Sequence, residues 1–290
     1  MAHDLARTVF GQRFQNPVLL AAGTAGYGRE VAGVIGLERL GGLVTKAVSS
    51  EPRAGNRAPR VAEFAAGMLN SVGLANPGLA RVRAEQLPWL ATHLRTARIL
   101  VNVVGFEDQG FADVVQGLDG FACITAFEIN LSCPNTSAGG LEFGADPVSV
   151  ARVIRLCAAR TSRPVLAKLS PALPDPAAMA LVAREAGAAG VSVVNTIPAY
   201  LADRQGVPRL GNGNGGLSGP ALLPVGVMAV RRIVERLPGF PVIGVGGIRN
   251  GDDARQYLRA GASLVAIGTA AMADPRVPER VVADLETRGG

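Results

Sequence analysis

Pro164-Val165-Leu166-Ala167-Lys168 is a short apolar run that ends on a charge. It has no polar residue before its last position and is too brief for a buried helix, so it reads as a strand covered on both faces. An amphipathic stretch opening on proline, Pro176 to Ala186, follows it, and then comes a β-branched run, Val191 to Val194. Proline suits the first turn of a helix, where its missing N–H leaves nothing unpaired. The segment therefore reads strand, helix, strand. Outward in both directions, similar runs recur at Val18 to Ala22, Leu43 to Lys46, Ile99 to Val103, Ala126 to Asn130, Val242 to Val245 and Leu264 to Ile267. Further helical candidates span Pro147 to Arg160, Pro220 to Arg236 and Asp252 to Arg259. Eight doubly buried strands alternating with helices predict a closed parallel sheet, a (β/α)8 TIM barrel, within a single domain over 1–290. An open doubly wound sheet is the alternative, but no Gly-x-Gly-x-x-Gly turn follows the first strand.

Composition narrows the function classes. A chain of 290 residues, 48% hydrophobic, is long enough to bury a full core. Its net charge of +6 comes from scattered arginines, without a basic block, and aromatics make up only 4%. Neither a phosphate-tracking stripe nor a stacking platform for bases is present, so no nucleic-acid partner is expected. Asp4, Arg7, Gln12 and Arg13 interrupt the apolar residues near Met1, and no run approaches the roughly 20 apolar residues of a membrane span. A cytoplasmic protein without a membrane partner is the expectation. Three cysteines, Cys123, Cys133 and Cys157, and two histidines, His3 and His93, show no metal-ligand spacing, so no metal site is expected.

In such a barrel the chemistry gathers at the carboxyl ends of the strands. There the sequence places Gly23-Thr24, Lys46, Asn102, Asn130, Lys168, Asn195-Thr196, Gly246-Gly247 and Gly268-Thr269. Lys46 and Lys168 are the only lysines among 29 basic residues, which points to positions needing a compact ammonium rather than a planar guanidinium. Such a lysine can form a Schiff base, bind an anionic substrate, or stabilise negative charge on a reduced flavin. The glycine turns after the seventh and eighth strands let backbone N–H groups approach a phosphate. Asn70, Asn102, Asn130 and Asn195 suit a heterocycle with amide edges, because a carboxamide both donates and accepts. Long connections at Glu51 to Gly78, Leu131 to Asp146 and Pro198 to Gly219 read as lids or binding loops. Cys133, in Glu128-Ile129-Asn130-Leu131-Ser132-Cys133-Pro134-Asn135, sits just past a buried strand with no histidine nearby in sequence. It reads as a general base for carbon deprotonation, whereas Cys123 and Cys157 read as buried apolar residues.

These motifs resemble, in order and over nearly the whole chain, the class 1 dihydroorotate dehydrogenases. The matching stretches include Asn16-Pro17-Val18, Thr45-Lys46-Ala47, Glu51 to Asn56, Asn70 to Gly78, Asn130 to Asn135, Lys168-Leu169-Ser170-Pro171, Asn195-Thr196 and Gly215 to Pro220. Gly139-Gly140-Leu141-Glu142-Phe143-Gly144 is most similar to the NAD-linked (1B) subclass. The resemblance implies FMN along the strand ends, with its phosphate at Gly246, Gly247, Gly268 and Thr269, helped by Gly219. Ala22, Lys46, Ala47, Asn102, Asn130 and Val194 would line the cofactor, and Lys168 would stabilise its reduced anion. Dihydroorotate would be held by Lys46, by Asn70, Ser71, Val72, Gly73 and Leu74, and by Asn130, Asn195 and Thr196. Cys133 and Lys46 would form the catalytic pair, Cys133 taking the C5 proton as orotate forms for UMP synthesis. The implied assembly is a homodimer, or a heterotetramer with an iron–sulfur flavoprotein that carries FAD and a 2Fe-2S cluster.

Two departures stand out: Ala21-Ala22-Gly23-Thr24 replaces the usual Ala-Ser-Gly, and Asn212-Gly213-Asn214-Gly215 lacks a lysine that some relatives have. The rival readings are a dihydropyrimidine dehydrogenase-like flavoenzyme acting on uracil or dihydrouracil, a Schiff-base lyase, and a non-catalytic flavin-binding scaffold subunit.

Overall fold

Each apolar run becomes a strand, and the strands pair in parallel, in chain order, until the last meets the first. In the computed structural model, which describes residues 4–132 and 143–287, they are β1 (Val18–Leu20), β2 (Gly42–Val44), β3 (Arg98–Val103), β4 (Ile124–Asn130), β5 (Val165–Leu169), β6 (Gly190–Val193), β7 (Val242–Val245) and β8 (Leu264–Ile267). Together they form a closed barrel. β8 lies beside β1 with Val265 opposite Val18, so the ring has no free edge.

Side-chain alternation sorts the apolar residues into two layers. One layer, including Val18, Leu20, Leu43, Val101, Phe127, Ile129, Val191 and Ile267, packs outward with the helices. The other, including Leu19, Val44, Leu100, Ala126, Leu166, Ile243 and Leu264, fills the barrel. Phe14 and Val9 belong to this inner cluster. They come from an antiparallel hairpin, Arg7–Val9 with Gln12–Phe14, that the sequence reading did not anticipate. The hairpin seals the amino end of the barrel with a fully buried phenylalanine.

Helices form where the sequence supplies caps. Asp146 accepts from the N–H of Val148 and of Ser149 at the start of Pro147–Ala158, and Asp175 does the same for Ala177 and Ala178 at Pro176–Glu185. Asn250 caps Gly251–Arg259. The expected helix from Pro220 to Arg236 splits into a 3-10 turn, Pro220–Leu222, and an α-helix, Leu223–Arg236. Pro224 has no N–H to bond backward, so it sits in the first α-helical turn. No α-helix links β1 to β2. Residues 23–36, rich in glycine, run through successive turns into a 3-10 turn at Leu37–Arg39.

The largest departure lies at the carboxyl end of the barrel. The connections after β2 and β6, expected as loops, pair with each other into a four-stranded antiparallel sheet in the order Ile197–Tyr200, Asn214–Ser218, Gly67–Asn70, Val61–Phe64. Ala62, Leu69 and Leu210 form its small core. The glycines of this region are required by close approach. A Cβ on Gly216 would stand 2.1 Å from Thr196 Oγ1, and one on Gly215 would stand 2.4 Å from the Asn70 carbonyl oxygen. The connection after β4, 131–146, lies mostly outside the described residues. Among the described residues no helix is long and apolar enough to cross a membrane.

Phe14→Ala is expected to cost about 3–5 kcal/mol of unfolding free energy in urea, the usual loss for a buried phenylalanine. A loss under about 1 kcal/mol would mean that the hairpin does not close the barrel floor.

Candidate functional site

The inner wall of the barrel changes character near its carboxyl end. Two residues beyond Leu100 comes Asn102, beyond Ala126 comes Glu128, and beyond Leu166 comes Lys168, all on the inward face by strand alternation. Asn102 Nδ2 donates to Glu128 Oε1 at 2.7 Å, and Lys168 Nζ lies 3.4 Å from the same oxygen. All three residues are buried. On the neighbouring strand Ser192 lies beside Lys168, and its buried Oγ has no hydrogen-bond partner among the described residues.

Above this tier opens a cavity of about 1030 Å³. That is at the top of the usual range of roughly 300–1,000 Å³ for small-molecule sites, with room for a cofactor and a small substrate together. Its wall takes in every expected site residue that the structure describes. Lys46, Ala47, Asn102, Asn130, Lys168, Val194, Asn195 and Thr196 come from the strand ends. Ala22, Gly219, Gly246, Gly247, Gly268 and Thr269 come from the first, sixth, seventh and eighth connections, and Asn70 to Leu74 from the added sheet and the chain after it. Cys133 lies outside the described residues. Its neighbour Ser132 lines the cavity and is tied down, since Asn195 Nδ2 donates to Ser132 Oγ at 2.9 Å and to Asn130 Oδ1 at 3.2 Å.

Each anchoring contact has a local cause. Lys46 follows β2 and donates its backbone N–H to the Gly26 carbonyl at 2.7 Å, while Tyr27 Oη donates to the Ala47 carbonyl at 3.1 Å, so the turns after β1 fix the end of β2. Burial pulls the Lys46 ammonium below the usual lysine range; nearby Glu30 opposes that pull and Arg60 adds to it. Burial and Glu30 push the Tyr27 phenol up, keeping it a neutral donor. Asn70 Nδ2 donates to the Gly216 carbonyl at 3.3 Å, joining the two halves of the added sheet at the cavity rim.

The turn after β7 is held from behind by Tyr257, whose Oη lies 2.7 Å from the Gly246 carbonyl oxygen and 3.0 Å from that of Val245. Tyr257 occupies space left by Gly226 and Gly244, where a Cβ would come within 1.9 Å of its Oη and 2.3 Å of its ring, respectively. Gly247 has φ +75°, and a Cβ there would lie 2.5 Å from the Leu223 nitrogen. Only glycine fits such a turn, and the bare backbone forms a cradle open to the cavity. Thr269 Oγ1 donates to Ser218 Oγ at 2.9 Å, linking the eighth connection to the added sheet. A glycine cradle at one end, two cationic side chains and carboxamides along the floor, and apolar Ala22, Ala47 and Val194 between them fit a phosphorylated flat heterocycle.

Sequence reasoning missed Glu128, Asn56 and Arg249. Glu128 carried a signal, because it stands two residues before Asn130 on one strand and so shares its inward face. Asn56 and Arg249 also line the cavity; Asn56 Nδ2 donates to Ser71 Oγ at 2.8 Å, and Arg249 is paired with Asp253 at 3.1 Å. Of the other two thiols, Cys157 is buried and pushed up to about 12 by burial. Cys123 is only half-buried, a correction to the sequence reading, and burial raises its thiol also.

Known proteins match this amino-acid sequence along nearly its whole length. The family model described as "Dihydroorotate dehydrogenase" matches residues 4–288. A Solibacter usitatus protein named "Putative dihydroorotate dehydrogenase A (fumarate)" is 45% identical over 98% of this chain and 93% of its own length. Two proteins named "Dihydroorotate dehydrogenase B (NAD(+)), catalytic subunit" are similar as well. The one from Desulforudis audaxviator is 43% identical over 97% of this chain and 91% of its own length, and the one from Geobacter sp. (strain M21) is 39% identical over 98% and 92%. With its whole barrel inside that match, this chain belongs to the dihydroorotate dehydrogenase family.

Proposed function

We propose that this chain is a cytoplasmic enzyme that oxidises (S)-dihydroorotate to orotate in pyrimidine biosynthesis, with FMN as its flavin. The observation that carries this reading is the meeting of both lysines, the four asparagines Asn70, Asn102, Asn130 and Asn195, and the glycine cradle around one cavity. Backbone N–H groups at Gly246, Gly247, Gly268 and Gly219, with the Thr269 hydroxyl, would hold the FMN phosphate. Ala22, Ala47, Asn102, Asn130 and Val194 would flank the ring system. Lys168, on the floor, would set a positive charge beside its pyrimidine edge.

Dihydroorotate carries a carboxylate and two ring amides. The Lys46 ammonium would orient the carboxylate, and the carboxamides of Asn70, Asn130 and Asn195, with Thr196 and the backbone of Ser71, Val72, Gly73 and Leu74, would read the amides. When bound, FMN supplies the two-electron acceptor for the hydride leaving C6. Cys133 Sγ would take the C5 proton, leaving the C5=C6 double bond of orotate. Two features support a base at that position: Ser132 is anchored on the cavity wall by Asn195, and the two other cysteines are placed away from it. The Schiff-base alternative fits less well at Lys168, whose Nζ is engaged in a buried ion pair rather than presented as a free amine.

The names of the relatives divide between fumarate and NAD(+). The likeness of Gly139 to Gly144 to the NAD-linked subclass favours an iron–sulfur flavoprotein partner carrying FAD and a 2Fe-2S cluster, on a homodimer of this chain.

Anaerobic mixing with dihydroorotate tests the reading directly. The flavin absorbance of the purified protein is expected to bleach, with dihydrouracil inactive; a stable yellow colour contradicts it. Cys133→Ala should slow bleaching at least about a hundredfold at neutral pH while FMN stays bound, the usual scale of general-base effects. Unchanged kinetics would remove Cys133 from the mechanism.

Lys46 also predicts a trade between binding and stability. Its ammonium is more costly in the folded state than in the unfolded state. That cost is full below the folded-state pKa and fades as pH rises from there to the ordinary lysine value. Lys46→Met is therefore expected to raise the thermal midpoint of the ligand-free protein at neutral pH, by a margin that shrinks in alkaline buffer, while abolishing dihydroorotate binding. A lower midpoint at neutral pH contradicts this.

A further inference from the structure

Among the residues around the cavity floor, Glu128 has no part in the scheme above. Glu128 is 1% exposed and does not line the cavity, whereas Asn102 and Lys168 do. An anionic substrate and an electron-accepting ring would both be disfavoured by a negative charge at this place. Burying a carboxylate is also costly unless it is paired and hydrogen-bonded. Glu128 meets both conditions through one oxygen, Oε1, which accepts from Asn102 Nδ2 at 2.7 Å and faces Lys168 Nζ at 3.4 Å.

The strand register explains the direction of this contact. Asn130 is opposite Lys168 and Glu128 is opposite Leu166, so in strand register the glutamate stands two residues nearer the amino end than the position facing the lysine it holds. On the other side of Lys168, β6 offers only the unpartnered hydroxyl of Ser192. A flexible four-carbon stem with acceptors on two sides needs a strong one to select a single position. Glu128 is the only carboxylate that pairs with Lys168 among the described residues.

We propose that Glu128 is the positioning residue of the flavin site. Its carboxylate, itself fixed by Asn102, anchors the Lys168 ammonium from below and holds that charge at one place on the cavity floor. Glu128 acts only through Lys168 and touches neither cofactor nor substrate. The role given to Lys168 rests on the proposed flavin reading, whereas the anchoring itself is a property of the barrel wall.

The composition supplies a clean test. With only two lysines in the chain, labelling with [13Cε]lysine gives two side-chain NMR signals, which Lys168→Arg assigns. In Glu128→Gln the Lys168 signal is expected to move while that of Lys46 stays. Sulfite, which adds to flavin N5 and leaves negative charge on the pyrimidine edge, is expected to bind at least about tenfold more weakly, because the unanchored lysine loses more stabilisation than removal of the carboxylate's own charge returns, whereas orotate affinity changes by less than about threefold, as expected for coupling confined to one ion-pair network. Glu128→Asp, which keeps the charge but loses reach, should fall between the parent and Glu128→Gln, and it serves in its place should Glu128→Gln not fold. An unmoved Lys168 signal with unchanged sulfite affinity overturns the proposal, as does an equal loss of orotate and sulfite affinity, which would mark a general structural defect. Failure of dihydroorotate to bleach the flavin would sink the functional reading while leaving the lysine signal as a test of the anchor.

Discussion

A closed ring of parallel strands must fill its own interior, and the point at which the apolar filling stops determines where a site can exist. Here the inner layer is apolar from Phe14 of the hairpin through Leu19, Leu100, Ala126 and Leu166. One step further along the same strands it becomes Asn102, Glu128 and Lys168. That single change of tier turns a packed core into a floor carrying charge. It is tolerated because the three side chains satisfy one another through Glu128 Oε1. The cavity above it, the glycine turns around it and the added sheet over it all take their positions from strands that end at this level.

The barrel was readable from sequence because its strands are covered on both faces and so appear as unbroken apolar runs. The added sheet was not. Val61–Phe64, Gly67–Asn70, Ile197–Tyr200 and Asn214–Ser218 are only four or five residues long, and two of them come from a connection far along the chain from the other two. No local pattern announces such a pairing; only the assembled barrel brings the two connections together. The turns between β1 and β2 were hidden for a different reason, since glycine weakens a helix without specifying what replaces it.

The cavity wall was more readable than the links behind it. Scarcity singled out Lys46 and Lys168, and position at strand ends singled out the asparagines and glycines, so the structure could gather them at one mouth. The supporting contacts depend on tertiary packing. Tyr257 reaching the carbonyl oxygens of Val245 and Gly246 through the space left by two glycines is one such contact, and Asn195 holding Ser132 is another. In both, a side chain distant in sequence fixes a backbone segment at the rim, and neither spacing nor composition carries that information. Glu128 is the intermediate case: strand alternation predicts its inward face, but nothing short of the folded barrel shows that it meets Lys168.

In the proposed enzyme one cavity holds a flavin and a carboxylate-bearing pyrimidine side by side, each gripped by its own part of the barrel mouth. A crystal structure of the flavin-loaded protein with orotate tests this most directly. The flavin phosphate is expected on the Gly246-Gly247 turn, the orotate carboxylate within hydrogen-bonding distance of Lys46, and Cys133 Sγ facing C5. Orotate bound away from Lys46, or a flavin seated with its phosphate elsewhere, would contradict it.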